Sequence, residues 1–157
     1  MNKGQIISID LTLSIMVFVL LLGFLYFSWQ SNVSGWEQQR HSLELEEKAM
    51  QQARNLVESS GFPANWTPIT VEVIGLAIQP NVLSMEKIGF FANMDYNMAR
   101  EKMNIFNYNF RIEITSTNPI LDQNIGAQPS ASNQVSTIEH QILIEGEHAV
   151  LRFQLFR

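Results

Sequence analysis

The chain has 157 residues, 46% of them hydrophobic and 16% charged, with a formal net charge of -5 and no cysteine. That length allows one domain with a modest core beside one long helix. The missing cysteines exclude a disulfide framework, a thiol nucleophile and thiolate metal sites, and an acidic balance without any basic cluster leaves nucleic acid no electrostatic footprint.

In chain order, Lys3-Gly4-Gln5 leads through Ser8 and Asp10 into residues 11–29, which hold no charge and no proline. At 1.5 Å per residue, about nineteen such residues cross the hydrocarbon of a bilayer. The run passes Trp29 into a polar helical pattern instead of closing on the small residues of a secretory cleavage site, so it is expected to stay in the mature protein. Lys3 precedes the run and the next Lys or Arg is Arg40. By the positive-inside rule the N-terminus is then cytoplasmic and everything beyond Trp36 lies outside. Trp29 and Trp36 suit an interfacial aromatic belt in a bilayer, or packing positions in a filament.

Residues 36–57 contain no proline, and Leu45, Ala49, Ala53 and Leu56, flanked by Met50 and Val57, recur at spacings of three and four. Charged residues fill most of the positions between, which predicts a helix with one apolar and one solvated face. The stripe is broader than the two-position seam of a simple coiled-coil stalk. Gly23 and residues 31–35 are points of weakness if the two segments form one helix. Ser59-Ser60-Gly61 and Pro63 stop it, because glycine suits the position after a helix end and proline cannot continue one.

The pattern then changes. Residues 69–75, rich in β-branched side chains and bracketed by Pro68 and Pro80, predict a strand. Ser84 can cap a short helix carrying Met85, Ile88 and Phe91, and Asp95 a second carrying Met98, Ala99 and Met103. Tyr108, Phe110, Ile112 and Ile114 alternate with Asn109, Arg111, Glu113 and Thr115, as a half-buried antiparallel strand does. Residues 117–134 hold Asn118-Pro119, Gly126, Pro129 and a Ser/Ala/Asn cluster, and predict a long surface loop. Glu145-Gly146 between two alternating runs predicts a two-residue hairpin, with Ile144 opposite Glu147, Ile142 opposite Ala149 and Glu139 opposite Arg152. The face carrying Ile138, His140, Ile142, Ile144, Ala149, Leu151, Phe153 and Leu155 is the expected core face.

A catalytic reading finds few convergent groups. In the hairpin register His140 points to the apolar face and His148 to the polar one, so they cannot share a metal; His140 is expected to bond a neighbour within the core. Glu44, Glu46 and Glu47 form a solvated helix face, lacking the turn of an oxygen-ligand loop. There is no phosphate loop, nucleophile elbow or zinc spacing. No enzyme activity, metal or cofactor is expected. Asn32-Val33-Ser34 and Asn65-Trp66-Thr67 are N-glycosylation acceptors by sequence.

The start at Lys3-Gly4-Gln5, with Ser8, Asp10 and the apolar run, resembles the class III signal of archaeal type IV pilins. Farther on, residues 60–67 (SGFPANWT), then 74–77 (IGLA), Lys87, Tyr96 and the strand start Tyr108-Asn109-Phe110 resemble the head of an archaeal pilin-like group. The resemblance implies an α+β, type IV pilin-like fold: a long N-terminal helix forming membrane span or filament core, and a small antiparallel β-sheet head packed on its outer half. It divides the chain into a leader at 1–4 removed by prepilin peptidase, a helix at 5–60 (core 6–29, amphipathic 36–60) and an extracellular head at 61–157. Cleavage would fall between Gly4 and Gln5. The family usually places a glutamate fifth from the new terminus, and here Asp10 stands sixth, where it would meet the free amine of Gln5 on a neighbour. The implied function is a structural subunit of a surface filament, self-assembling through its helix after a membrane-bound stage and used in adhesion. The alternative is a single-pass membrane protein whose external domain binds a ligand or partner and does not polymerise.

Overall fold

A computed structural model describes the backbone of residues 3–157 and the side chains of residues 10–30 and 40–157. Helix α1 is assigned over Lys3–Glu58, and the chain forms two compact units, Met1–His41 and Ser42–Arg157. Within the first unit the segment Asp10–Gln30 has a mean hydropathy of 2.3 and is long and apolar enough to cross a membrane. Its large apolar side chains, from Leu11 to Trp29, are all 49% to 73% exposed.

The second unit begins with the last turns of α1. Leu45, Ala49, Ala53, Leu56 and Val57 are buried, as their three-and-four spacing predicts. The ion pairs Glu44–Lys48 and Arg54–Glu58 join residues one turn apart on α1. The helix stops at Glu58, and Gly61 follows with φ +78. That stop matches the Ser-Ser-Gly signal.

The strand expected at 69–75 does not form. A turn at Thr67–Thr70 opens the segment, with Thr70 N and Val71 N both donating to Thr67 O, and only Val73 bridges to a neighbour, Phe62. The chain then spends its backbone donors on the end of α1: Leu76 N bonds Leu56 O at 3.0 Å and Ala77 N bonds Ser59 O at 3.0 Å. Carbonyls that a helix leaves unpaired at its C-terminus are satisfied here by the descending segment. Val71 and Ile74 are buried while Ile69 is 95% exposed, so the β-branched run anchors a loop.

A short strand pair follows, β1 (Ala77–Gln79) and β2 (Val82–Leu83). Ser84 caps α2 (Met85–Ala92) and Asp95 caps α3 (Tyr96–Lys102), both as expected. Ile88, Phe91, Ala99 and Met103 are buried, but Met98 is 40% exposed and stands outside the core. Strand β3 (Asn109–Ser116) buries Phe110, Ile112 and Ile114 in the expected alternation.

The stretch expected as one long loop at 117–134 is partly ordered. A 3-10 turn at Pro119–Leu121, capped by Asn118, leads into β4 (Gln123–Gly126), which pairs antiparallel with β3. Burial of Leu121 and Ile125 fixes it there. The hairpin β5 (Val135–Ile144) and β6 (Glu147–Phe156) has the expected register, including Ile144 opposite Glu147 and Glu139 opposite Arg152. Glu145 and Gly146 have φ of 53 and 86, both positive, as the tight I′ turn requires.

The six strands form one curled sheet in the order β1-β2-β5-β6-β3-β4. It is mixed, not purely antiparallel, because β2 lies parallel to β5. The fold is therefore α+β, an N-terminal apolar helix followed by a mixed sheet. One core cluster joins the α1 stripe of Leu45, Ala49, Ala53 and Leu56 to the sheet face of Phe110, Ile112, Leu151 and Phe153 and to Trp66, Ile88 and Phe91.

Candidate functional site

The expected site residues fall in two places. Gly4 and Gln5, the expected processing pair, and the acceptor Asn32 lie outside the residues whose side chains are described. Asp10 is exposed at the start of the membrane-length segment.

Asn65 is exposed in a turn that Trp66 N closes on Pro63 O at 3.0 Å. The next residue, Trp66, is 1% exposed and its indole N–H donates to Gly75 O at 2.9 Å. Its ring lies tilted against Phe90 with centroids 6.2 Å apart. Thr67 is tied in turn to Thr70, hydroxyl to hydroxyl at 3.1 Å. The acceptor side chain thus projects from a backbone pinned on one side by a core tryptophan. Close packing of two glycines makes the pin possible: a Cβ on Gly75 would strike Gly61 N and Ser59 O, and one on Gly61 would meet Val73 O at 2.6 Å.

The histidines are held apart. The hairpin register places His140 opposite Leu151, on the core face, whereas His148 lines the groove on the other face with Thr115, Gln141 and Val150. The expected core bond of His140 is missing: its buried Nε2 has no hydrogen-bond partner among the described residues. A strand position aimed at Leu, Ile and Phe side chains offers an imidazole nothing to bond. Among the described residues no three His, Asp or Glu side chains gather closely enough for a metal.

Two concavities among the described residues of the head bear on a binding site. One, of 280 Å³, is bounded by Phe91, Met94, Tyr96, Phe110 and Ile125, and its lining carries no charged side chain. Tyr96 OH accepts from Phe110 N at 3.1 Å, so this hydroxyl is occupied in bracing β3. The other, of 450 Å³, is the groove containing His148. There Ser116 Oγ donates to the His148 backbone carbonyl at 3.2 Å and so is not aligned with the imidazole as a nucleophile would be.

Across the solvent face of the sheet runs a charged row, in which Arg152 donates to Glu139 at 2.7 Å and to Glu113 at 3.1 Å, while Arg111 pairs with Glu113 at 2.6 Å. The bond to Glu139 first, then that to Glu113, raises the Arg152 pKa. The row keeps guanidinium and carboxylates on each other, a stable sheet surface and not an acid–base site.

Sequence reasoning missed the role of Lys87. Its ammonium turns back from α2 to donate to Ser60 O at 2.7 Å and Ala77 O at 3.4 Å, and desolvation lowers its pKa. No pattern signals such a contact, because a lysine on a short helix reads as solvated. Comparison with protein-family models, curated proteins and solved structures finds no match to this chain.

Proposed function

We propose that the chain is a pilin-like subunit of the archaeal type IV kind: held in the membrane as a precursor, cut between Gly4 and Gln5 by a prepilin peptidase, and assembled through its apolar helix into a surface filament that serves adhesion. The observation that carries this reading is the joining of an exposed apolar segment, Asp10–Gln30, to a head with its own closed core. Such a segment needs either lipid or other apolar helices around it, and a bundle of identical helices supplies an equally apolar setting outside the bilayer. The Lys-Gly-Gln start, and Asn65 displayed in an outward turn, agree with the same reading.

The test is the mature N-terminus. Mass spectrometry of the N-terminal peptide from native material is expected to begin at Gln5, and Gly4→Val to leave the precursor uncut, because a close backbone approach at the cleavage point requires a residue without a Cβ. A retained Lys3 in the native protein, or normal trimming of Gly4→Val, would support instead a single-pass membrane protein with an external binding domain.

A further inference from the structure

We propose that the head pairs with a second copy of itself through the open edge of β5, as two antiparallel strands centred on Ile138. The hairpin fixes which backbone groups are available. In a two-residue I′ turn the flanking pair, Ile144 and Glu147, exchanges both hydrogen bonds, so the even residues of β5 direct N–H and C=O to β6 and the odd residues direct theirs away. Leu143 N, an odd residue, accordingly donates outward to Asn81 O at 2.8 Å. Strand β2 covers that side only at Leu143 and Ile144. From 135 to 141 no strand lies alongside among the described residues, and Val135, Thr137, Glu139 and Gln141 are all exposed.

Soluble proteins blunt such edges with lysine, proline, a bulge or brevity. None of these is present at 135–141: the sequence VSTIEHQ holds no Lys or Pro, and its register on β6 is unbroken. The opposite edge of the sheet, β4, is only Gln123–Gly126. An edge left this long and regular is a template for another strand.

The identity of that strand follows from position and charge. The open stretch is centred on Ile138, because the Asn81 bond closes it beyond Gln141. An antiparallel copy that uses the whole stretch therefore sets Ile138 against Ile138, Thr137 against Glu139, and Val135 against Gln141. No two carboxylates meet, and Glu139 is already held by Arg152. The same register sets Ser136 of one copy directly across from His140 of the other. The pairing thus completes the backbone bonds of the edge.

A two-fold contact cannot repeat along one polar filament. It joins heads in pairs, as precursors or between adjacent filaments, and it does not depend on the filament reading.

Cysteine scanning of the full chain in detergent micelles tests it, since the chain has no cysteine of its own. Directly opposed residues of this kind have Cα atoms about 4.5 Å apart, within disulfide reach. Under mild oxidation Ile138→Cys should dimerise at least tenfold faster than Val135→Cys, whose opposite number is Gln141, and than Val150→Cys on another strand. Because Ile138 also packs against the core, a mixture of Ser136→Cys and His140→Cys chains serves as a second probe and should cross-link to each other faster than either does to itself. Thr137→Pro removes an outward N–H and the exposed 3.5 Å bond from Gln154 Nε2, and should lower the cross-linked fraction at least tenfold with the head still folded, while Thr137→Val, which loses only the Gln154 bond, should not. Equal rates at 138 and 135, no preference in the mixture, or a dimer indifferent to Thr137→Pro would each overturn the pairing.

Discussion

The ammonium of Lys87 donates to the carbonyl of Ser60 at 2.7 Å, joining α2 to the exit of α1 across 27 residues of sequence. It ties the carbonyl of Ser60, two residues past the end of α1 at Glu58, and that of Ala77 on β1 to one donor. Lys87→Met is expected to destabilise the head by about 1–2 kcal/mol, the cost of leaving those oxygens without a donor. The pH dependence has a definite sign. Burial lowers the folded pKa below the ordinary 10.5, so the unfolded chain binds the extra proton in the window between the two values, and stability rises with pH there. Melting curves taken as the pH rises towards 10.5 should show wild type gaining on Lys87→Met. A constant gap would remove the desolvation account.

Phe153 is fully buried and Gln154, the next residue, faces the other side of the sheet. Phe153→Ala should cost about 3–5 kcal/mol and Gln154→Ala well under 1 kcal/mol in chemical denaturation. Equal costs would show the face assignment of β6 to be wrong.

Two glycines should respond in opposite directions. A Cβ on Gly75 meets backbone of Gly61 and Ser59, whereas one on Gly89 meets nothing within 4 Å. Gly75→Ala is expected to lose about 1–3 kcal/mol by forcing the loop off the helix end. Gly89→Ala, inside α2, should gain about 0.5–1 kcal/mol through helix propensity. Thermal melting of the two variants checks both signs.

Asp10 gives the assembly prediction, which rests on the pilin-like reading. At the centre of an apolar helix a carboxylate costs about 2.5–3.5 kcal/mol, and less near an interface. In the membrane it can reach the headgroups, but inside a helix bundle it requires a cation, for which the amine freed at Gln5 of a neighbour is suited. Asp10→Ala should be processed and inserted normally yet yield few filaments on electron microscopy of sheared cell surfaces. Abundant normal filaments would refute the pairing.

The parts of this fold legible in the sequence are those governed by one local rule. The β5–β6 register follows from Glu145-Gly146 and an unbroken alternation on both sides, and the two short helices from Ser84 and Asp95. Where several partners compete for the same backbone, pattern misleads. Residues 69–75 have the composition of a strand, but the unpaired carbonyls of Leu56 and Ser59 take the donors just beyond them. Strand β4 was hidden because only Ile125 marks it among Asn, Gln and Gly. The mixed sheet was equally hidden, since its parallel contact involves a strand of two residues, Val82 and Leu83. At the candidate sites, sequence found the exposed Asn65 and separated the two histidines, but it assumed a core bond for His140, whose buried Nε2 has no partner among the described residues.

Strand β6 comes last of the six in chain order, yet it lies between β5 and β3. Until β6 is made, β3 pairs only with β4 and β5 only with β2, so the sheet that covers α1 is in two pieces. The core that joins the α1 stripe to Phe110 and Ile112 therefore lacks Leu151, Phe153 and Leu155 until residues 147–156 arrive. Closure of the head sheet therefore waits for the last strand to be made. A chain stopped before Glu147 would expose its core stripe and two unpaired strand edges at once, which makes it a substrate for chaperones and proteases in place of a partly active head.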